Sequence, residues 1–273
     1  MRHFGILGAG LLAVTVGFVL LGLFWLPADP NRIGRNTFAP PSLAHPMGTD
    51  WFGRDLLTRV MVGGRTSLAV AVVAVALGGA VGTLLGGIGG YFGGVWDELG
   101  SRLSDFLLAF PAVLLALLLS VSLGPGLLGV TVAIACFNVP FFARQSRAGF
   151  LSLRGADYVL AARAMGTGHA RVMARHILPN LASPLLVQTT VSLAAALLSE
   201  AALSYLGLGV QPPDPSWGRM LKEAQSYLAL SPWPAVFPGL FLALGVLGLN
   251  LLGDALRDLA DPATRRLSIP RPP

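Results

Sequence analysis

Six stretches of this chain are apolar over lengths that can cross about 30 Å of hydrocarbon as helices. They run approximately from Phe4 to Leu26, Ser67 to Gly90, Leu103 to Leu123, Leu127 to Phe142, Leu181 to Leu198 and Trp233 to Leu252. Inside a bilayer the backbone finds no water, so such segments must satisfy their own N–H and C=O groups and are confined to helices. Composition points the same way, with 54% hydrophobic and 12% charged residues. The expected fold is an all-α polytopic membrane protein with six transmembrane helices, not a soluble globular domain. The first stretch follows Arg2 as a signal peptide would, but it is about 23 residues long and no convincing small-residue cleavage site follows Leu26, so it reads as a retained helix.

Between Arg144 and Arg175 lie six arginines and no lysine. At roughly 2.5–3.5 kcal/mol for each Arg at a bilayer centre, burying them would cost on the order of 15–20 kcal/mol, so residues 143–180 form a loop outside the lipid. With the N-terminus inside, the inner face receives Arg2, Arg102, those six, Arg257, Arg265, Arg266 and Arg271, which makes 12 basic residues. The outer face receives seven: Arg32, Arg35, Arg54, Arg59, Arg65, Arg219 and Lys222. This bias places both termini and the 143–180 loop in the cytoplasm. Three parts follow: an N-terminal helix with an extracytoplasmic segment (1–66), a core (67–255) with the cytoplasmic loop 143–180 and an extracytoplasmic loop 204–232, and a cytoplasmic tail (256–273). The net charge of +6 goes with orientation and not with nucleic acid, since no basic patch is interleaved with stacking aromatics. The single cysteine, Cys136, sits in an apolar run and reads as a packing residue.

Local patterns add detail. Gly78, Gly79, Gly82, Gly86 and Gly87 recur through the second span, where small residues let helices approach closely. Gly124-Pro125-Gly126 leaves a tight hairpin between spans three and four. Thr49 and Asp50 are good helix starters, and Phe52, Leu56, Val60 and Met61 follow as a short amphipathic helix before span two. Trp217, Met220, Leu221, Ala224 and Leu228 form a second stripe after a proline-rich turn. Both stripes fit helices floating at the interface, and both fit an outer rim that receives a soluble protein. In the 143–180 loop, Ala161-Ala162, Gly166 and Ile177-Leu178-Pro179 read as two short helices broken at a glycine and stopped before a proline. The small pair lets the first helix seat in a groove, Gly166 takes a positive φ to close it, Thr167 caps the next helix and Pro179 ends it. From spacing alone, the same hairpin also fits a helix pair resting on anionic headgroups.

The text of the chain resembles a known family. His45-Pro46-Met47-Gly48-Thr49-Asp50 with Gly53-Arg54-Asp55, Tyr91-Phe92-Gly93-Gly94 through Asp105 and Phe110-Pro111, Glu200-Ala201-Ala202-Leu203-Ser204-Tyr205-Leu206-Gly207-Leu208-Gly209, Pro215-Ser216-Trp217-Gly218, and Asn250-Leu251-Leu252-Gly253-Asp254 through Asp261-Pro262 stand in the order found in membrane permease subunits of bacterial ABC importers for dipeptides, oligopeptides or nickel, of the second permease type. The resemblance implies a type I ABC importer permease fold with a cytoplasmic coupling hairpin between helices 4 and 5. The hairpin is similar to that family's ATPase-contacting loop, Glu-Ala-Ala, three residues, Gly, then Ile-Leu-Pro after about ten more. Ala161, Ala162, Gly166, Ile177, Leu178 and Pro179 match it, but Leu160 stands where the glutamate belongs. Asp157, three residues earlier and close to the same helical face, is the candidate to replace that carboxylate.

The resemblance further implies a heterodimer with a second permease subunit, two ABC ATPase subunits, an extracytoplasmic solute-binding protein and a location in the bacterial cytoplasmic (inner) membrane. A P-loop needs a lysine after its glycines, and the only lysine here, Lys222, follows Leu221. The chain is therefore expected to bind no cofactor and to be no enzyme itself, with ATP and Mg held by the partner ATPases. Peptide is the expected cargo, with nickel or another small solute as the alternative. An ion-coupled carrier would place ionisable groups near the midplane, whereas only Asp105 and Glu200 come near span ends. An intramembrane hydrolase lacks its base, because His3, His45, His169 and His176 all fall outside the spans. His169 and His176 are seven residues apart without further ligands, so no metal site is expected. Asn138, Pro140 and Asn250, in or near spans four and six, are candidates to line a pathway or to bond neighbouring helices.

Overall fold

A computed structural model describes residues 2–260. Arg265, Arg266, Arg271 and the Asp261-Pro262 pair lie outside the described residues. The helices are α1 (Arg2–Phe24), α2 (Leu56–Phe92), α3 (Gly94–Ala109), α4 (Ala112–Leu123), α5 (Leu127–Leu153), α6 (Asp157–Ala164), α7 (His169–Val172), α8 (Ala182–Tyr205), α9 (Trp217–Gln225) and α10 (Trp233–Ala260). Among the described residues five helical runs are long and apolar enough to cross a membrane, or six when α3 and α4 count as one span bent by 95°. The third span is thus not the straight helix expected over Leu103 to Leu123. Pro111 holds Phe110 in an extended conformation (φ −91°, ψ 129°), which breaks the run there.

The centre of the bundle is the pair α2 and α5, which run parallel. Every fourth residue of α2, Gly78, Gly82, Gly86 and Gly90, lies on the carbonyl of every fourth residue of α5, Ala135, Val139, Ala143 and Arg147. A Cβ at any of these glycines would collide with backbone, so the glycine-rich second span packs as its composition predicts. In α10, Gly248 sits against Leu12 and Gly8, and Gly8 against Leu251, so α1 and α10 form an antiparallel pair. The main apolar core joins Val60, Val70, Ala74, Val130, Ile134, Phe142, Leu197 and Trp217 across α2, α5, α8 and α9.

The two amphipathic stripes neither float nor stand apart. The first is not a separate helix, because α2 begins at Leu56, with Asp55 as its cap accepting from the Thr58 N–H at 2.9 Å. Thr49 and Asp50 serve the preceding loop instead. Thr49 Oγ1 donates to the Asn36 carbonyl at 2.6 Å, and Asp50 accepts from the N–H groups of Phe52 and Arg54 at 2.9 Å each. Leu56, Val60, Met61, Trp217 and Met220 are all buried, and Trp217 Nε1 donates to the Val60 carbonyl at 2.9 Å. Around this seam Arg54 bonds Asp50 (2.6 Å) and Glu223 (3.0 Å), and Glu223 also accepts from Arg59 (3.2 Å) and Arg219 (3.1 Å). Two sequence-distant segments are thereby welded into one rim.

Candidate functional site

At the end of the bundle opposite the rim, α6 and the run from α7 into α8 form a hairpin on the ends of α2 and α5. Val159, Ala162, Val172, Ile177 and Leu181 close a second apolar cluster with Tyr91 and Phe150. The turn after α6 is built by Gly166 at φ +81°, with the Gly166 N–H bonding the Arg163 carbonyl at 2.9 Å and the Thr167 N–H the Ala162 carbonyl at 3.1 Å. This is the glycine-closed helix end the sequence predicts, and it satisfies the Ala162 and Arg163 carbonyls in the last turn of α6. Thr167 does not cap the next helix. Gly168 holds that position and no side chain bonds there.

Two further expectations need correction. Ala161 and Ala162 do not act as a pair: Ala162 is 2% exposed and packs into this chain's own cluster, and only Ala161 is left on the surface. Nor does Pro179 end a helix, since the run continues unbroken from His169 to Tyr205. Proline removes an N–H, and the chain absorbs the loss by widening its turn over Met173–Ile177 and tightening it over Leu178–Leu181. The Leu178 N–H reaches back to the Met173 carbonyl, and Asn180 Nδ2 bonds the His176 carbonyl at 2.7 Å. Ile177 is buried, Leu178 half-buried and Pro179 exposed. Asp157, Leu160, Ala161 and Ala164 share the outward face of α6, next to Tyr158 and Met165.

The hairpin is tied to α2 as well as to its own neighbours in sequence. Tyr91 Oη lies 2.9 Å from His169 Nδ1, and Arg154 Nη1 donates to the Gly90 carbonyl at 3.3 Å. A cation at the last carbonyls of a 37-residue helix also meets the negative end of its dipole. Of the six loop arginines, Arg144 pairs with Asp105 at 2.9 Å, Arg147 is bidentate to Asp97, and Arg154 caps α2. Arg163, Arg171 and Arg175 are exposed on the hairpin. Tyr91 and His169 were not identified as partners from sequence, because nothing local links residues 78 positions apart. His169 is engaged with Tyr91, and among the described residues no group of His, Cys, Asp or Glu could hold a metal ion.

The three candidates for a pathway are dispersed. Asn138 is buried on α5, its Nδ2 bonded to the Ile134 carbonyl at 2.8 Å, and it borders a cleft between α4, α5 and α8. Pro140 is buried within α5 and does not border that cleft. Asn250 lies on an exposed stripe of α10 with Leu240 and Leu247. Glu200, on α8 near the rim, is 1% exposed and accepts from Ser204 Oγ at 2.7 Å.

The family model described as "Binding-protein-dependent transport system inner membrane component" matches residues 78–266. A dipeptide transport system permease protein of Alkalihalophilus pseudofirmus is 42% identical over 261 residues, covering 93% of this chain and 84% of that protein. A glutathione transport system permease protein of Escherichia coli is 46% identical over 222 residues, covering 81% and 73%. A putative peptide transport system permease protein of Brucella abortus is 41% identical over 268 residues, covering 96% and 89%. Among solved structures, a chain of the methionine ABC transporter MetNI in an inward-facing conformation superposes with a TM-score of 0.59 at 20% identity, over 75% of this chain and 96% of that one.

Proposed function

The chain belongs to the family of binding-protein-dependent transport system inner membrane components, and on that premise we propose that it is the permease subunit of an ATP-binding-cassette importer of peptides. It is a multi-pass inner membrane protein. Peptide as cargo is supported by the names of the relatives, which are peptide, dipeptide and glutathione permeases. The proposed assembly contains a second permease, two ATPase subunits that hold ATP and Mg, and an extracytoplasmic solute-binding protein. Both termini and the hairpin face the cytoplasm, and the rim built from 25–55 and α9 faces outward to receive the binding protein.

One observation carries the coupling role. The hairpin is a preformed unit, closed by Gly166, packed on its own apolar cluster and bonded to α2, with Leu160, Ala161, Met165 and three arginines on its free side. A surface of that kind transmits force only when a partner binds its two positions with different affinity. Docking of an ATPase on α6, with Asp157 taking the place of the motif glutamate at Leu160, meets that need, and Ile177, Leu178 and Pro179 carry the movement into α8. In the reconstituted importer Gly166→Pro is expected to abolish both peptide uptake and stimulated ATP hydrolysis, since proline cannot adopt φ +81°. Asp157→Arg should weaken the same two activities. Uptake and hydrolysis unchanged in Gly166→Pro would refute the coupling role.

A further inference from the structure

The cleft between α4, α5 and α8 has a chemistry that sets it apart from the rest of the bundle. Its volume is about 170 Å³, and its polar lining consists of Asn138 from α5 and Gln188, Ser192 and Ser199 from α8. Positions 188, 192 and 199 fall on one face of α8 together with Ala195 and Ala202. From Gln188 to Ser199 that stripe extends about 16 Å, half the hydrocarbon thickness. Gln188 Nε2 donates to Ser192 Oγ at 3.1 Å, so the stripe is organised internally. Phe137 and Phe141 make the opposing wall, and among the described residues no acidic, basic or histidine side chain lines the space. Carboxamides and hydroxyls in a row are costly against lipid and are kept where they meet polar matter.

We propose that this α5–α8 cleft is the chain's half of the translocation pathway, and that it passes peptides by neutral hydrogen bonding without reading the charge of their side chains. The proposal rests on the reading of the chain as a peptide importer permease. A peptide brings amide groups and two opposite terminal charges. Neutral donors and acceptors replace part of its hydration, whereas a fixed charge in a narrow low-dielectric cleft would hold one terminus too tightly for release. Gln188, Ser192 and Ser199 are specificity-determining positions on this account, although no motif marked them.

The test uses the assembled importer in vesicles with Cys136→Ala as background. Gln188→Cys and Ser199→Cys are expected to react with a membrane-impermeant maleimide to an extent that changes with nucleotide, while Leu247→Cys on the exposed stripe of α10 stays constant. Ser199→Asp and Ser199→Lys should shift relative uptake of Ala-Lys-Ala over Ala-Glu-Ala in opposite directions, each by about fivefold or more, with trialanine least affected. Cysteines that are unreactive or nucleotide-independent would overturn the proposal, as would charge variants that slow the three peptides equally. Failure of the unmodified importer to accumulate any of the peptides would instead refute the peptide-permease reading itself.

Discussion

At Gly86 a single added carbon meets the Ala143 carbonyl, and at Gly82 it meets that of Val139. Neither neighbour is a side chain that can turn away, so the strain must move a whole helix. Overpacking of this kind costs roughly 1–3 kcal/mol. Gly10 on α1 has no described atom within 4 Å of the corresponding position. Gly86→Ala is therefore expected to lower the thermal midpoint of the detergent-solubilised protein, while Gly10→Ala leaves it equal or slightly higher through better helix propensity. Equal effects of the two changes would show that α2 and α5 do not meet at their glycines. The same scale explains why Ala161 and Ala162 looked alike in sequence. Both are small, and only the packing of α6 on Tyr91 and Phe150 decides which one is used inside the chain.

The rim shows what elements do that residues alone do not. Arg59 is 1% exposed, on the first turns of α2, and bonds Glu223 on α9 and the Pro30 carbonyl in the loop between α1 and α2. Removing one partner of a buried charge network leaves the others uncompensated, at about 3–5 kcal/mol. The exposed Arg102–Glu98 pair on α3 is worth about 0.3–0.5 kcal/mol. Arg59→Met should loosen the rim enough to expose the 25–55 loop to added protease, and Arg102→Met should leave its cleavage unchanged. The apolar lengths made the spans legible, and the glycine turn of the hairpin was legible because one residue type suffices to build it. Periodicity identified both rim stripes but not that they face each other, because a stripe records that a face is buried and not against what. Proline misled twice in opposite senses. Phe110-Pro111 breaks a span that was expected to be continuous, and Pro179 is absorbed by a widened turn where a stop was expected. Which outcome occurs depends on whether neighbouring groups take up the freed carbonyls, as Asn180 does for His176.

Across the whole molecule, movement of the hairpin has three routes into the bundle. Two are covalent, through α5 before it and α8 after it, and the third is the set of contacts with the end of α2, Tyr91 with His169 and Arg154 with the Gly90 carbonyl. The third route matters because α2 is locked to α5 along four successive glycine contacts, so a push on Tyr91 is a push on the central pair. A net hydrogen bond contributes about 0.5–1.5 kcal/mol, and 1.4 kcal/mol is a tenfold change in a two-state equilibrium. Tyr91→Phe keeps the ring in its apolar cluster and removes only the bond. Peptide transported per ATP hydrolysed should therefore fall by about twofold to tenfold while the thermal midpoint changes little. His169→Leu should give the same loss, and the double variant no more than either single one, because both changes delete one shared interaction. Additive losses in that cycle, or an unchanged transport-to-hydrolysis ratio, would mean that the Tyr91–His169 bond does not carry the hairpin's movement to α2.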